Sequence, residues 1–199
     1  MTRDTRICFV GDSFVNGTGD ETFLGWTGRL CTVAGVPVTG YNLGIRRDTT
    51  RDILLRWERE CVPRLSGPFD GRLVFSGGVN DAAIEGGRVR VDSEESGANM
   101  QKILRAARSY RVLVVGPPPV SDEEWNARIR VVAALIARAA DAQGVPYIDL
   151  FTPLVADEDY RNELLTGDGA HPGSAGYAKM ARIIGLSPQW WFSSGPPDT

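Results

Sequence analysis

Four short apolar runs punctuate the chain, with glycine, proline or aspartate at or near their ends. They are 7–10 (Ile-Cys-Phe-Val), 73–75 (Leu-Val-Phe), 112–115 (Val-Leu-Val-Val) and 145–150 (Val-Pro-Tyr-Ile-Asp-Leu). A weaker fifth run at 36–43 contains Pro37 and Gly40. Continuous apolar strands of this length suit a sheet covered on both faces; a strand wetted on one side alternates instead. Between the runs the apolar spacing becomes helical. Residues 25–34 place Trp26, Leu30 and Val33 on one stripe, and 50–64 do the same with Ile53, Leu54, Trp57 and Cys61. Residues 99–110 carry Ile103, Leu104 and Ala107. The longest helix is predicted at 121–143, opened by a capping box at Ser121-Asp122-Glu123-Glu124 and followed by Gly144 as terminator. A last helix is predicted at 174–184.

Strand alternating with helix predicts an α/β fold with a parallel sheet and crossover helices. With 199 residues and no internal repeat or linker, one domain is expected, its core at about 5–186. The tail 193–199, with Pro196-Pro197, reads as frayed. In an open parallel sheet, ligands bind beyond the carboxyl ends of the strands. The unusual residues collect there: Gly11-Asp12-Ser13, Asn42-Leu43-Gly44, Gly77-Gly78-Val79-Asn80-Asp81, and, after a further loop, 166–172.

Composition narrows the classes. Hydrophobic residues are 42% and charged residues 24%, as in ordinary soluble globular chains. The net charge is −3, without the basic excess of a nucleic-acid binder. No apolar run is long enough to span a membrane, and 1–10 lack the pattern of a secretory signal. Three cysteines, Cys8, Cys31 and Cys61, form neither a disulfide framework nor a zinc pattern, so a reducing, cytoplasmic setting is expected. The single histidine excludes multi-histidine metal centres, and any imidazole chemistry must use His171.

Ser13, just past a buried strand, reads equally as a helix cap or as a nucleophile at the mouth of the sheet. His171 lies in a Gly/Asp/Pro-rich loop rather than on an apolar helical face. Asp168, three residues earlier, is close enough in a turn to orient the imidazole and stabilise its protonated form; the plainer reading is an Asx-turn beside a solvated histidine. Acyl transfer also needs hydrogen-bond donors for the developing oxyanion. Loss of one such donor typically costs about 2.7–4 kcal/mol in the barrier. The candidates are the backbone N–H of Ser13, the backbone N–H of Gly44 and the side-chain amide of Asn80.

Gly11-Asp12-Ser13-Phe14, Asn42-Leu43-Gly44, Gly78-Val79-Asn80-Asp81 and Asp168-Gly169-Ala170-His171-Pro172 resemble, in order, the four blocks of the SGNH hydrolases, also called GDSL esterases/lipases. The resemblance spans 6–185. It implies Ser13 as nucleophile, His171 as general base and then acid, Asp168 as its orienting carboxylate, and an oxyanion hole of Ser13, Gly44 and Asn80. It also implies a three-layer α/β/α sandwich with about five parallel strands in flavodoxin-like order. Phe14 replaces the leucine of the family name, a change expected to alter packing rather than chemistry.

Arg46 and Arg47 follow Gly44 closely. Either Arg47, Asp48, Arg51 and Asp52 pair on a charge-laced helix start, or Arg46 or Arg47 holds an acidic substrate. Gly17-Thr18-Gly19 matches no dinucleotide or phosphate loop. Asp20, Glu21 and Asp81 lack the spacing of a cation site, so no metal and no cofactor are expected. Short segments at 82–92 and 151–166 predict no large lid and favour a small or soluble ester substrate. Trp190-Trp191-Phe192 is expected to close the core rather than to dock on a membrane. The competing readings are a thioesterase or carbohydrate O-acetyl esterase with the same triad, a non-catalytic binding domain, and a flavodoxin-like nucleotide domain, for which the phosphate loop is missing.

Overall fold

The computed structural model describes residues 4–192; the tail 193–199 lies outside them. In chain order the strands are β1 (Thr5–Gly11), β2 (Val38–Gly44), β3 (Asp70–Ser76), β4 (Ile84–Glu85), β5 (Arg88–Val89), β6 (Arg111–Val115) and β7 (Tyr147–Ile148). The helices are α1 (Ser13–Asn16), α2 (Gly25–Thr32), α3 (Thr50–Leu65), α4 (Ser93–Ala106), α5 (Glu123–Asp141), α6 (Phe151–Val155), α7 (Glu158–Thr166) and α8 (Ser174–Leu186). Five strands form one parallel sheet in the order β2-β1-β3-β6-β7, and β4-β5 is a separate antiparallel hairpin. This is the expected three-layer α/β/α sandwich in flavodoxin-like order.

Alternation along β1 shows how the layers form. Phe9 meets Trp26 of α2 edge-on, with ring centroids 5.6 Å apart. Its neighbour Cys8 points the other way, to Cys61 of α3. On that second face Phe75 of β3 packs edge-on against Trp57, also of α3. All six of these side chains are buried, which is why β1 and β3 read as unbroken apolar runs. α8 packs beside α2, while α3, α4 and α5 pack side by side.

Several boundaries differ from the sequence reading, each for a local reason. α5 is capped by Asp122, whose carboxylate accepts the Trp125 N–H at 2.6 Å; Ser121 instead donates its N–H to Gly169 at 2.8 Å. α4 starts six residues before 99, because Asp92 caps a polar first turn that shows no apolar stripe. Only Tyr147 and Ile148 of the run 145–150 pair with β6, since Pro146 has no N–H to offer a ladder. Asn42 and Gly44 lie inside β2 rather than after it. The stretch 151–166 is two short helices, and 84–89 is a hairpin turned by Gly86 and Gly87, both at positive φ. Trp190 is buried, stacked on Trp191 and edge-on to Phe192, with the Arg72 guanidinium over the outer two rings. Arg72 lies in the first half of β3, so the cluster closes the end of the sheet opposite Ser13.

Candidate active site

The parallel register sets Gly11, Gly44 and Ser76 abreast at the carboxyl edge of three adjacent strands. The segments leaving these strands therefore converge. Gly11 must be glycine: a Cβ there would fall 1.9 Å from the Ser76 carbonyl and 2.5 Å from the Val15 side chain. That closeness lets the chain turn at once into α1. Asp12 caps the helix, its Oδ1 accepting the Phe14 N–H at 3.0 Å, and Ser13 is the first helical residue.

The Ser13 hydroxyl lies 2.8 Å from His171 Nε2, and His171 Nδ1 lies 2.7 Å from Asp168 Oδ2. The other oxygen of Asp168 accepts the N–H groups of Ala170 at 2.9 Å and His171 at 2.8 Å. Partial burial works against the Asp168 charge, but these donors and the imidazole outweigh it and hold the carboxyl down at about 2. An ionised acceptor at Nδ1 puts the imidazole proton there and turns the Nε2 lone pair toward the serine. Phe14 packs against the imidazole with centroids 5.1 Å apart.

The histidine loop is tied down from several sides. Gly169, at φ +83°, passes 2.9 Å from the Ser121 hydroxyl by the position a Cβ would take. Ser174, opening α8, donates its hydroxyl to Asp20 at 2.6 Å and to Glu21 at 2.8 Å. Tyr177 donates to the Thr18 carbonyl at 2.7 Å. Although Asp20 is desolvated, Arg29, Ser174 and Thr22 hold its carboxyl well below the usual range. Asp20 and Glu21 are thus fasteners between the loop after α1 and the loop carrying His171. Among the described residues no group of three or more His, Cys, Asp or Glu could hold a metal ion.

On the other side of Ser13, Asn80 donates one amide hydrogen to the Asp48 carbonyl at 3.0 Å. Gly78, at φ +116°, bends the chain there with Val132 and Ile136 pressed behind it. Asp81 is fully buried and accepts the Thr50 N–H at 2.9 Å, the Thr50 hydroxyl and the Ser96 hydroxyl at 2.7 Å. It anchors the Asn80 turn to α3 and α4.

Gly44 departs from the expectation. Its N–H donates to the Asn42 side chain at 3.0 Å. Its α-carbon is covered by backbone, since a Cβ would lie 2.1 Å from Asn16 N and 2.7 Å from Asp12 O. It serves the close approach of β2 to α1 and has no free N–H for a substrate. Asn42 Nδ2 reinforces that contact with a 2.7 Å bond to the Val15 carbonyl. The expected local pairing among Arg47, Asp48, Arg51 and Asp52 is also absent. Arg47 bonds Glu85 at 2.9 Å, Arg51 bonds Glu95, Asp48 bonds the buried Arg56, and Asp52 closes a capping box with Thr49. Arg46 is exposed, and among the described residues its side chain has no hydrogen bond or ion pair.

Asp12 carries a second feature. Its Oδ2 is buried and unpartnered. Burial, with smaller repulsion from Asp81 and Asp48, pushes its carboxyl up to about 7.

A model of the GDSL-like lipase/acylhydrolase family matches residues 9–179. The chain belongs to this family. A GDSL lipase of Mycobacterium tuberculosis is 30% identical over 207 residues, covering 92% of this chain and 83% of that protein. The crystal structure of a lipase/acylhydrolase from Enterococcus faecalis superposes with a TM-score of 0.75 at 25% identity, over 90% of this chain and 93% of that one. An acetyl xylan esterase from Geobacillus stearothermophilus shares the fold, with a TM-score of 0.69 at 17% identity over 98% and 100% of the two chains. Membership in a GDSL hydrolase family agrees with the order of the four sequence blocks. The supporting roles of Asp20, Asn42, Asp81 and the β4-β5 hairpin do not show in the sequence, where Asn42 and Asp81 stand out only as members of the blocks and Asp20 and Asp81 only as a rejected cation set. Only the hairpin had a readable signal, Gly86-Gly87 between Ile84-Glu85 and Arg88-Val89.

Proposed function

We propose that this chain is a serine hydrolase that cleaves a small or soluble carboxylic ester through an acyl-enzyme. The observation that carries the reading is the unbroken relay from the Ser13 hydroxyl through His171 to Asp168, at 2.8 and 2.7 Å. In the proposed cycle the Ser13 oxygen attacks the ester carbonyl while its proton passes to Nε2. The tetrahedral oxyanion collapses, the C–O bond to the alcohol breaks, and the alcohol leaves with the proton from Nε2. Water then attacks the acyl group, gives its proton to Nε2, and the acid departs as Ser13 recovers the proton. Asp168 stays ionised throughout and stabilises the transient imidazolium. The Ser13 N–H, which has no acceptor among the described residues, and the second amide hydrogen of Asn80 are the donors this reading assigns to the oxyanion. The cycle requires no cofactor.

The test is labelling with a fluorophosphonate, followed by turnover of nitrophenyl esters, acyl thioesters and acetylated sugars. Stoichiometric labelling lost in Ser13→Ala supports the reading; an unlabelled wild-type protein returns the chain to the class of binding domains. The panel also separates an ester hydrolase from a thioesterase or an O-acetyl esterase. The unpartnered guanidinium of Arg46 favours an ester that bears an acid group. Arg46→Ala is then expected to slow acid-bearing esters more than neutral ones, and equal losses would remove that preference.

A further inference from the structure

With Gly44 committed elsewhere, the oxyanion side of the site has another unpartnered backbone donor. Ile45 to Asp48 form a four-residue turn closed by the Asp48 N–H on the Ile45 carbonyl at 3.2 Å. The turn hangs between the two halves of the site. Its first N–H, of Ile45, bonds the Gly11 carbonyl at 2.9 Å, two residues before Ser13. Its last carbonyl, of Asp48, receives the Asn80 amide at 3.0 Å. Arg47 is the third residue of the turn and has φ +69°, whereas Arg46 keeps a negative φ. That combination is the sense of a type II turn, which normally takes glycine third. The Arg47 N–H has no acceptor among the described residues.

An arginine should prefer the type I form, reached by flipping the peptide between Arg46 and Arg47. The flip would return Arg47 to negative φ and swing its N–H to the opposite side of the turn. Something must hold the left-handed form, and the hairpin does so. Arg47 Nη2 bonds Glu85 Oε1 at 2.9 Å, Arg90 Nη1 bonds the Arg47 carbonyl at 2.8 Å, and Arg90 Nε meets Glu85 Oε2 at 3.2 Å. These three contacts close a ring around Arg47. The ring is rooted in the Asn80 turn, because the Val91 N–H bonds the Asp81 carbonyl at 3.2 Å and the Arg90 N–H bonds the Ala83 carbonyl at 3.0 Å.

We infer that Glu85 and Arg90 are positioning residues: their clasp holds the backbone N–H of Arg47 in the orientation in which it donates to the oxyanion. The inference rests on the serine-hydrolase reading and deepens it. The side chain of Arg47 is spent on the clasp, so its part in the reaction is played by its backbone. A left-handed non-glycine residue is disfavoured by roughly 5- to 150-fold against ordinary conformations. Without the clasp most molecules would carry the flipped peptide.

The experiment is a double-mutant cycle on a nitrophenyl ester, with kcat and KM separated. Arg90→Ala is expected to lower kcat by about 5- to 100-fold with KM changed less than about threefold, since the donor acts on the transition state. Glu85→Gln, on the exposed hairpin, is expected to give a smaller loss of the same kind. Arg47→Gly removes the strain that the clasp opposes, so Arg90→Ala in that background is expected to cost less than about threefold. Equal losses in both backgrounds, or an unchanged kcat in folded Arg90→Ala, would overturn the inference. Those results leave phosphonate labelling of Ser13 intact. A wild-type protein that neither labels nor turns over any ester would instead overturn the underlying reading, and this inference with it.

Discussion

Asp168→Asn is the substitution that best separates chemistry from folding at this site. Three donors meet the carboxylate: the Ala170 and His171 N–H groups at one oxygen, at 2.9 and 2.8 Å, and His171 Nδ1 at the other, at 2.7 Å. An asparagine has one oxygen and one amino group to place. With its oxygen on the two N–H groups, the loop keeps both bonds. The reverse orientation would strand two backbone donors, so the first is strongly preferred. The amino group then faces Nδ1, which must accept, and the imidazole proton moves to Nε2. There it points at the Ser13 hydroxyl, and the base is lost. A tautomer error of this kind lowers kcat by about 10⁴-fold in a well-characterised serine protease triad. At 1.36 kcal/mol per tenfold, that is about 5.4 kcal/mol of barrier. The thermal midpoint should fall by only about 2–4 °C, the worth of roughly 1 kcal/mol in a chain of this size. Initial rates on a nitrophenyl ester with parallel calorimetry measure both quantities. A folded variant that retains more than a tenth of wild-type kcat would refute the assigned role of Asp168. The acid limb gives a second check. The folded carboxyl sits at about 2 against an ordinary 3.8, so its contribution to stability is present above 3.8 and vanishes as pH falls through about 2. The stability difference between wild type and Asp168→Asn should shrink over that window.

Two other outcomes rest on named contacts. The buried Asp12 carboxyl, raised from 3.8 to about 7, binds a proton in the folded state that the unfolded chain releases. Folding stability should therefore decrease as pH rises between those values, by on the order of 4 kcal/mol in total, and calorimetry of Asp12→Asn should show that slope diminished. Gly44→Ala would press a methyl group into the backbone of Asn16 and Asp12. It should destabilise the fold by about 1–3 kcal/mol, and an undisturbed melting temperature with a selective fall in kcat would restore Gly44 to the oxyanion hole.

Much of the architecture was legible because burial leaves a local mark. β1, β3 and β6 have apolar layers on both sides, so their residues read as continuous runs, and α2, α3 and α5 show their buried stripes at helical spacing. Where burial is partial the mark fades. α7 buries only Tyr160 and Leu164, and the hairpin 84–89 is exposed throughout, so both passed as loop. The capping of α5 was displaced by one residue because Ser121 serves the Gly169 turn, a contact 48 positions away in sequence that no local pattern reveals.

Order along the chain was enough to nominate Ser13, Asp168 and His171, since their residue types, neighbours and positions after strands are local properties. Their mutual distances, and the fate of every hydrogen-bond donor near them, depend on which segments the sheet register brings abreast. Gly44 and Arg47 show the difference. In sequence the glycine looks like the open position and the arginine like a surface charge. In the folded chain the glycine is sealed under α1, and the arginine occupies the left-handed corner of a turn gripped by the hairpin. Backbone conformation there is imposed by contacts from 38 and 43 residues downstream. Such constraints outweigh local preference, and only tertiary structure can supply them.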